Sequence, residues 1–212
     1  MLEFCNVTRV FPNNKGIFNN CWKAQEGEVV GFIGHNGCGK TTTLKIIAGL
    51  QLLDEGKIKY SGSNISSFPR RIMGLVCEQR SLYQDIQVNH QLKLVCNLQK
   101  VTKSEINEQI DKWLSVFNLL EYKYTKIRDL SKGNQQLVQI SCGLIHNPKI
   151  ILLDEPFNGL DESRIGILIK VLKELSKDKI ILVAFHQVEL KEKLCDRVIL
   201  LNDGKIITEV LS

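Results

Sequence analysis

Several features of membrane-embedded, secreted and zinc-binding proteins are missing from this sequence of 212 residues. No apolar run approaches the roughly 18 residues of a membrane-spanning segment, and the start of the chain, Met1–Phe4, lacks the charged-then-apolar layout of a signal peptide. None of the seven cysteines forms a C-x-x-C pair, which disfavours zinc and indicates a reduced, cytosolic protein. If the protein serves a membrane process, another chain must supply the membrane part.

Charge of one sign is not concentrated anywhere in the chain. The net charge is +5 and the isoelectric point about 8.8, but lysine and arginine are scattered, so a nucleic-acid partner is not indicated. Hydrophobic residues make up 43% and charged residues 24% of the chain, an ordinary globular composition. Repeats, linkers and low-complexity segments are missing too, and we expect one domain with a sizeable core.

A glycine-rich loop is the most informative feature that is present. Residues 34–41 fit the phosphate-cradling pattern G-x-x-x-x-G-K-S/T, between the strand-like run Val29–Ile33 and a helix-like segment. Lys40 can reach the β- and γ-phosphates of a nucleotide, and the Thr41 hydroxyl can ligate Mg²⁺. A chance glycine-rich turn is an improbable alternative to nucleoside triphosphate binding. The loop residues expected at the nucleotide are Gly34, His35, Asn36, Gly37, Cys38, Gly39, Lys40 and Thr41.

Three more polar residues follow strand-like runs. Asp154 and Glu155 come directly after Ile150–Leu153, and His186 comes directly after Ile180–Phe185. The carboxyl ends of parallel strands form the ligand-binding edge of an open α/β sheet. There Asp154 can hold Mg²⁺, Glu155 can deprotonate the attacking water, and His186 can bond to the γ-phosphate and that water. The alternatives are a pair of surface acids and a histidine that caps the next helix.

The order of the patterns predicts an α/β core that is interrupted by a helical insert. Residues 2–10 alternate between apolar and polar, as in a half-buried strand. In the middle of the chain an apolar stripe from Ile106 to Phe117 recurs at helix spacing, with Ser104 as a candidate N-cap. We therefore expect the α/β core at residues 1–84 and 148–212 and the helical subdomain at residues 85–147.

Seven motifs occur along the whole chain in the order that is typical of one family. They are Phe11, the Walker A loop Gly34–Thr42, the Q-loop residue Gln79, the signature Leu130–Gln136, the Walker B strand Ile150–Glu155, the D-loop Gly159–Asp161 and the switch residue His186. With these motifs the chain resembles the ATP-binding-cassette (ABC) ATPases. The resemblance implies an α/β fold with a P-loop NTPase (RecA-like) core, an N-terminal antiparallel β subdomain and an inserted α-helical subdomain, all within a single nucleotide-binding domain of residues 1–212.

The resemblance also implies a mechanism that needs two subunits, ATP and Mg²⁺. Two cassettes pack head to tail, with each ATP between the phosphate loop of one and the signature motif of the other. Glu155 is then the general base for attack by water. The residues implied at the nucleotide are Phe11, Gly34–Thr42 with Thr42 included, Ser131, Gly133 and Asn134; those implied at Mg²⁺ are Thr41, Gln79 and Asp154; those implied in catalysis are Lys40, Gln79, Glu155 and His186.

The signature departs from the usual LSGGQ of the family. Lys132 stands where glycine is usual and Asn134 where glutamine is usual, while Ser131 and Gly133 are kept. Signatures of the LSKGN type resemble those of ATPases that serve bacterial exporters of the ABC-2 sort, so we expect an exporter. Both a homodimer and a heterodimer with a second ABC ATPase stay open.

The resemblance implies a transmembrane permease subunit as partner, with this chain peripheral on the inner face of the cell membrane. The alternative is a soluble relative that works on ribosomes or DNA, but such proteins generally carry two cassettes or a long coiled-coil insert. A regulator without turnover is disfavoured by Glu155 and His186. The sequence ends just after the turn at Gly204, so we expect no appended regulatory domain.

Two further hypotheses concern residues near the motifs. Cys38 lies at a helix N-terminus, whose dipole favours the thiolate, so we expect a thiol that reacts with reagents and is protected by ATP. Leu82 and Tyr83 follow Gln79 and, with Val88 and Leu92 at the start of the helical insert, are expected to line a groove for a helix of the permease. The alternatives are a small filler residue in the first case and local packing in the second.

Overall fold

Two β-sheets and a helical region form the protein, which a computed structural model describes over residues 1–186 and 188–211. The strands are β1 (Leu2–Val10), β2 (Gly16–Ala24), β3 (Val29–Ile33), β4 (Glu55–Tyr60), β5 (Ser63–Asn64), β6 (Met73–Val76), β7 (Ile150–Asp154), β8 (Ile180–Ala184), β9 (Arg197–Asn202) and β10 (Lys205–Leu211). The helices are α1 (Lys40–Ile47), α2 (Val88–Leu98), α3 (Ile106–Val116), α4 (Lys132–Leu144), α5 (Glu162–Ser176) and the short α6 (Lys191–Leu194), with 3₁₀ turns between some of them.

The larger sheet carries the nucleotide motifs. Its strand order is β10-β9-β3-β8-β7-β6, and all neighbours are parallel except the terminal hairpin β9–β10. Every residue of β3, β7 and β8 is buried, as their uninterrupted apolar runs predict for a sheet that is covered on both faces. Alternate side chains serve two cores: Ile151 and Leu153 pack on the helical side, Ile150 and Leu152 on the side of α1 and the smaller sheet.

The smaller sheet contains a strand that the sequence patterns did not reveal. It is antiparallel with the order β2-β1-β4-β5, and the predicted β1 is confirmed. β2 has two adjacent asparagines, and Asn19 adopts the left-handed conformation at φ 49°. Asn20 is buried, and its amide bonds to the carbonyl of Gly204 at 3.0 Å and the N–H of Ile206 at 3.1 Å. These distant partners allow polar residues to lie inside the strand.

The segment between β6 and β7 contains three helices and two 3₁₀ turns. α2, α3 and α4 pack on one face of the larger sheet, and the apolar stripe from Ile106 to Phe117 is buried among them. The predicted N-cap is wrong: α3 begins at Ile106, its N-cap is Glu105, and no side chain caps it. The predicted fold class is confirmed, since an antiparallel sheet, a parallel α/β core and an inserted helical region are all present.

No helix in residues 1–186 and 188–211 combines the length and the apolar character that a membrane span requires.

A pair of glycines lets β6 and α4 approach each other closely, which gives a test of the packing. A Cβ on Gly74 would lie 2.0 Å from the carbonyl oxygen of Gly143. We expect Gly74→Ala to lower the free energy of unfolding by about 1–3 kcal/mol. The matched control is Gly166→Ala in α5, where a Cβ meets no atom within 4 Å and where alanine should add about 1 kcal/mol. Denaturant unfolding measures both, and equal effects would contradict the assigned packing.

Candidate active site

The predicted functional groups meet at one edge of the larger sheet. The strands β3, β8, β7 and β6 are neighbours and parallel, so their carboxyl ends lie side by side. The phosphate loop follows β3, His186 follows β8, Asp154 ends β7 and is followed by Glu155, and Gln79 follows β6.

The phosphate loop depends on glycine at the start of α1. Gly39 is the N-cap of α1 and adopts φ 112°, a left-handed conformation that a side chain would strain. A Cβ at this position would also lie 2.7 Å from Ile17 of β2. Gly37 is left-handed as well, at φ 83°. The loop therefore curls tightly into α1, whose first N–H groups and dipole favour an anion.

Two sets of contacts hold the loop in place. The buried Lys40 donates through Nζ to the carbonyl oxygens of Gly34 at 2.6 Å and His35 at 3.3 Å. From the terminal hairpin, the N–H of Gly204 donates to the carbonyl of Cys38 at 3.0 Å, and the His35 Nε2 lies 3.0 Å from Oδ1 of Asn202. The Lys40 ammonium therefore lies over the loop, where it can reach a bound phosphate.

Cys38 corrects one of the sequence hypotheses. Its side chain is fully buried in the core beside α1 and β2. Its Sγ lies so close to Gly34 that a Cβ added to Gly34 would be only 2.6 Å from it. A sulfur enclosed beneath the loop is not accessible to a reagent, so the expectation of a reactive thiol is wrong for this conformation. The thiol fills space, while the backbone of Cys38 remains part of the loop.

Thr41 and Asp154 form a direct link between the loop and β7. The Thr41 hydroxyl donates to Oδ1 of Asp154 at 3.0 Å, and Asp154 is 3% exposed. Burial raises the pKa of the Asp154 carboxyl, and the nearby Glu78 and Glu155 add to the rise, while the bond from Thr41 opposes it. A buried carboxylate with poorly compensated charge next to a hydroxyl oxygen fits a hard divalent cation such as Mg²⁺.

Glu155 and His186 form the second polar pair of the site. The Nδ1 of His186 lies 2.9 Å from Oε2 of Glu155. Glu155 is 8% exposed and adopts φ 50°, a conformation that costs a residue with a side chain about 1–3 kcal/mol. Phe157 and Phe185 pack edge to face close by, with ring centroids 6.3 Å apart, and hold the two segments that carry the pair.

The signature residues lie at the start of α4. Ser131 is the N-cap, and its hydroxyl accepts from the N–H of Asn134 at 3.2 Å. Asn134 is buried, and its Oδ1 accepts from Arg164 at 2.9 Å. Gly133 packs on the D-loop, since a Cβ there would lie 3.0 Å from the carbonyl of Gly159. Ser131 and Lys132 are exposed.

The hydrogen bonds of the signature do not reach the phosphate loop within the part of the chain that the structure describes. The side chains of Ser131 and Asn134 bond to α4 and α5 instead. Gln79 is exposed beyond β6. Phe11 is half-buried after β1, with the Arg9 guanidinium 5.3 Å from its ring centroid. Within the described residues, none of these side chains is hydrogen-bonded to Thr41, Asp154, Glu155 or His186.

Two supporting residues were missed by the sequence analysis. Gln136 is buried and donates to the carbonyl of Pro156, directly after Glu155, at 3.2 Å. Arg164 bonds to both Asn134 and the D-loop residue Asp161, and so joins α5 to the signature. A polar residue within the apolar spacing of a helix was a usable signal for Gln136. No local signal pointed to Arg164, because its partner Asn134 is 30 residues away.

Comparisons with known proteins show the family of this chain. The ABC transporter family matches residues 18–158. The ABC transporter ATP-binding protein MJ1023 of Methanocaldococcus jannaschii is 41% identical over 203 residues, which are 95% of this chain and 74% of that protein. The methionine import ATP-binding protein MetN of Clostridium acetobutylicum is 31% identical over 216 residues, 97% of this chain and 67% of that protein.

A solved structure with ligands shows the same fold. The dimeric post-hydrolysis state of the ATP-binding cassette MJ0796, bound to ADP and Pi, has a TM-score of 0.90 and 27% identity, and the match covers 100% of this chain and 98% of that chain. The fold and the site define a P-loop ATPase cassette. The chain belongs to the ABC transporter family and is an ATP-binding, ATP-hydrolysing cassette of it.

The raised pKa of Asp154 predicts a conflict between stability and activity. In EDTA, Asp154→Asn should raise the free energy of unfolding at neutral pH by about 0.5–2 kcal/mol, while it abolishes Mg²⁺-dependent ATPase activity. The folded protein holds this proton more tightly than the unfolded chain, so the gain is small below about pH 4 and grows as the pH rises through the folded-state pKa.

A surface carboxylate serves as the control with opposite sign. A hydrogen bond from Lys179 lowers the pKa of Asp178, so Asp178→Asn should slightly lower stability at neutral pH. Thermal unfolding in EDTA across the pH range measures both variants. If Asp154→Asn were less stable than the wild type at neutral pH, the conclusion that the buried charge of Asp154 destabilises the folded protein would be contradicted.

Proposed function

We propose that this chain is the ATP-hydrolysing subunit of an ABC transporter, and that ATP-driven dimerisation of two such cassettes powers a separate permease. The observation that carries the proposal is the pair of contacts at the sheet edge. The Thr41 hydroxyl lies 3.0 Å from Oδ1 of Asp154, and Nδ1 of His186 lies 2.9 Å from Oε2 of Glu155. The two pairs lie at adjacent strand ends. In this proposal Thr41 and Asp154 bind the cation, and Glu155 is the base beside His186.

Each residue then has one role in the reaction. Lys40 and the loop N–H groups bind the β- and γ-phosphates, and Glu155 accepts the proton of the attacking water as it adds to the γ-phosphorus. His186 bonds to Glu155 through Nδ1, and its Nε2 faces the γ-phosphate in this proposal, to which it donates when both ring nitrogens carry a proton. The left-handed backbone of Glu155 and the contact with His186 fix the position of the carboxylate that acts as the base in this proposal.

Mg²⁺ fits the oxygen donors that lie beside the loop. Thr41 and Asp154 would hold it, with Gln79 reaching in from the end of β6. When bound, the ion neutralises the charge that develops on the β- and γ-oxygens. The protein residues keep the phosphate chain in line with the water, because both the loop and β7 are anchored in the buried sheet.

A second subunit completes the site. Ser131 and Lys132 are exposed at the start of α4, where the helix dipole can meet a phosphate from the far side. Because the side-chain bonds of Ser131 and Asn134 stay within α4 and α5, the phosphate that the signature binds is one held by another cassette. The matched dimeric cassette with ADP and Pi supports this arrangement. We propose Gly133 as a backbone contact and Asn134 as an indirect one, through Arg164.

An apolar groove is the proposed contact with the permease. It has a volume of about 570 Å³ and lies between α2, α4 and the segment after β6. Leu82 and Tyr83 line it, whereas the expectation for Val88 and Leu92 is wrong, because both are fully buried in the helical core and do not line it. Four large apolar side chains at its border are well exposed, namely Leu50 at 64%, Tyr83 at 62%, Leu94 at 38% and Leu98 at 71%. Such a concentration of exposed apolar side chains marks a binding surface, and a short amphipathic helix of the permease fits it. The chain would then be peripheral on the inner face of the membrane.

Export is the proposed direction of transport. It is supported by the signature alone, in which Lys132 and Asn134 replace the usual residues. The relative MetN is named as an import protein, which does not support export. Transport measured in vesicles of known orientation, with the permease present, decides between the two directions.

Replacement of the proposed base tests the mechanism. Glu155→Gln should lower kcat at least about 100-fold, because the amide cannot accept the proton of the water. ATP affinity should persist, and a dimer should accumulate when ATP is added, as measured by size-exclusion chromatography. The control is Glu108→Gln on the exposed side of α3, which should behave as the wild type. Turnover of Glu155→Gln at the wild-type rate would show that the base is wrongly assigned.

Removal of an exposed ring tests the groove. Tyr83→Ala should weaken binding to the permease by about 2 kcal/mol, or roughly 30-fold in Kd, and abolish transport while basal ATPase activity persists. The matched control is Tyr124→Ala, since that ring is 65% exposed but lies outside the groove. ATPase and transport assays of the reconstituted complex measure the effect. Unchanged transport by Tyr83→Ala would contradict the groove.

A further inference from the structure

One buried side chain joins the signature helix to the segment that carries Gln79. Gln139 lies in the middle of α4 and is 3% exposed. Its Nε2 donates to the carbonyl oxygen of Cys77 at 2.6 Å and, over a longer 3.4 Å, to that of Gln79. Its Oε1 accepts from the N–H of Ser81 at 3.3 Å. All three bonds therefore reach residues 77–81, with Gln79 at the centre.

The segment depends on these hydrogen bonds because its backbone makes none of the regular hydrogen bonds of a helix or a strand. Residues 77–81 belong to no helix or strand, so Gln139 supplies partners for backbone groups on both sides of Gln79. A buried polar group without a partner costs about 1–3 kcal/mol, which makes this the favoured conformation of the segment. The neighbouring Gln136 bonds elsewhere, to Pro156, so the contact is specific to one position of α4.

Gln139 also lines the proposed permease groove. Ser81, Leu82 and Tyr83 line the same groove, so one side chain contacts both the groove and the backbone around Gln79. A helix that enters the groove and shifts this segment must strain or rearrange the bonds of Gln139. The geometry thus connects the groove to the residue that reaches the nucleotide site.

We infer that Gln139 is a positioning residue, which holds residues 77–81 so that Gln79 reaches the Mg²⁺–ATP site and which transmits occupancy of the groove to that site. The inference rests on the proposed function, in which Gln79 acts at the nucleotide and the groove binds the permease. Gln139 itself touches neither substrate nor metal.

A double-mutant cycle on the full chain tests the inference. The variants are Gln139→Leu, Gln79→Ala and the double variant, with kcat and the KM for ATP measured at saturating Mg²⁺. We expect Gln139→Leu to lower kcat about 10-fold, since a small displacement of an orienting group has effects of this order, with KM within about 2-fold. The double variant should be no slower than Gln79→Ala, because both changes remove one interaction.

A control separates positioning from loss of stability. Gln91 of α2 is also buried, and its Oε1 accepts from the N–H of Tyr83 at 3.0 Å, beyond the segment that Gln139 holds. Gln91→Leu removes a comparable bond and should keep kcat within about 2-fold. If Gln91→Leu slowed turnover as much as Gln139→Leu, or if the double variant were slower by the product of both effects, the inference would be overturned.

A second variant gives a readout that packing alone does not produce. In Gln139→Glu the ionised carboxylate faces the carbonyl oxygens of Cys77 and Gln79, whereas the protonated form can donate to one of them. The ratio of variant to wild-type kcat should therefore rise as the pH is lowered from about 8 to about 6, since burial favours the neutral acid. A constant ratio contradicts the inference.

The failure of the inference differs from failure of the proposed function. If Gln79→Ala slows turnover and Gln139→Leu does not, only the positioning role is wrong. If Gln79→Ala has no effect on kcat, the role of Gln79 in the proposed function is wrong, and the inference is overturned with it.

Discussion

The parallel pairing of β3, β8, β7 and β6 is the constraint on which the rest of the structure depends. Because these strands run in the same direction, residues far apart in the chain meet at one edge of the sheet. The contacts of Thr41 with Asp154 and of His186 with Glu155 follow from this pairing. If β7 slipped by one residue, each of its side chains would turn to the other face of the sheet, and Asp154 would no longer face Thr41. The buried apolar residues that fix the register of β7 therefore also fix this contact.

Stability and function oppose each other at this edge. The raised pKa of Asp154 reports an unfavourable buried charge, and the left-handed backbone of Glu155 carries strain. Both are tolerated because the two apolar cores on either face of the sheet and the packing of Phe157 on Phe185 fix the surroundings. The polar groups of the site are therefore held in place by the apolar packing around them.

The helix α4 connects several functional segments through its polar side chains. Asn134 is bonded to Arg164 of α5, Gln136 to the loop after Glu155, and Gln139 to the backbone around Gln79. Since these bonds leave one rigid helix in different directions, a movement of α4 displaces the D-loop, the Walker B loop and the Q-loop segment together. In the proposed function, these bonds would connect a dimer contact at Ser131 to a permease contact at the groove.

The sequence by itself determined the fold class and the positions of the phosphate loop, its strand and its helix, because these three are contiguous in the chain. It did not reveal β2, since the partner of Asn20 is 184 residues away, and it misjudged Cys38, whose burial depends on the packing of the loop over the core. The bond of Gln139 to Cys77, across 62 residues, was also invisible. Burial and long-range partners were decided only by the tertiary structure, because they depend on which elements pack together.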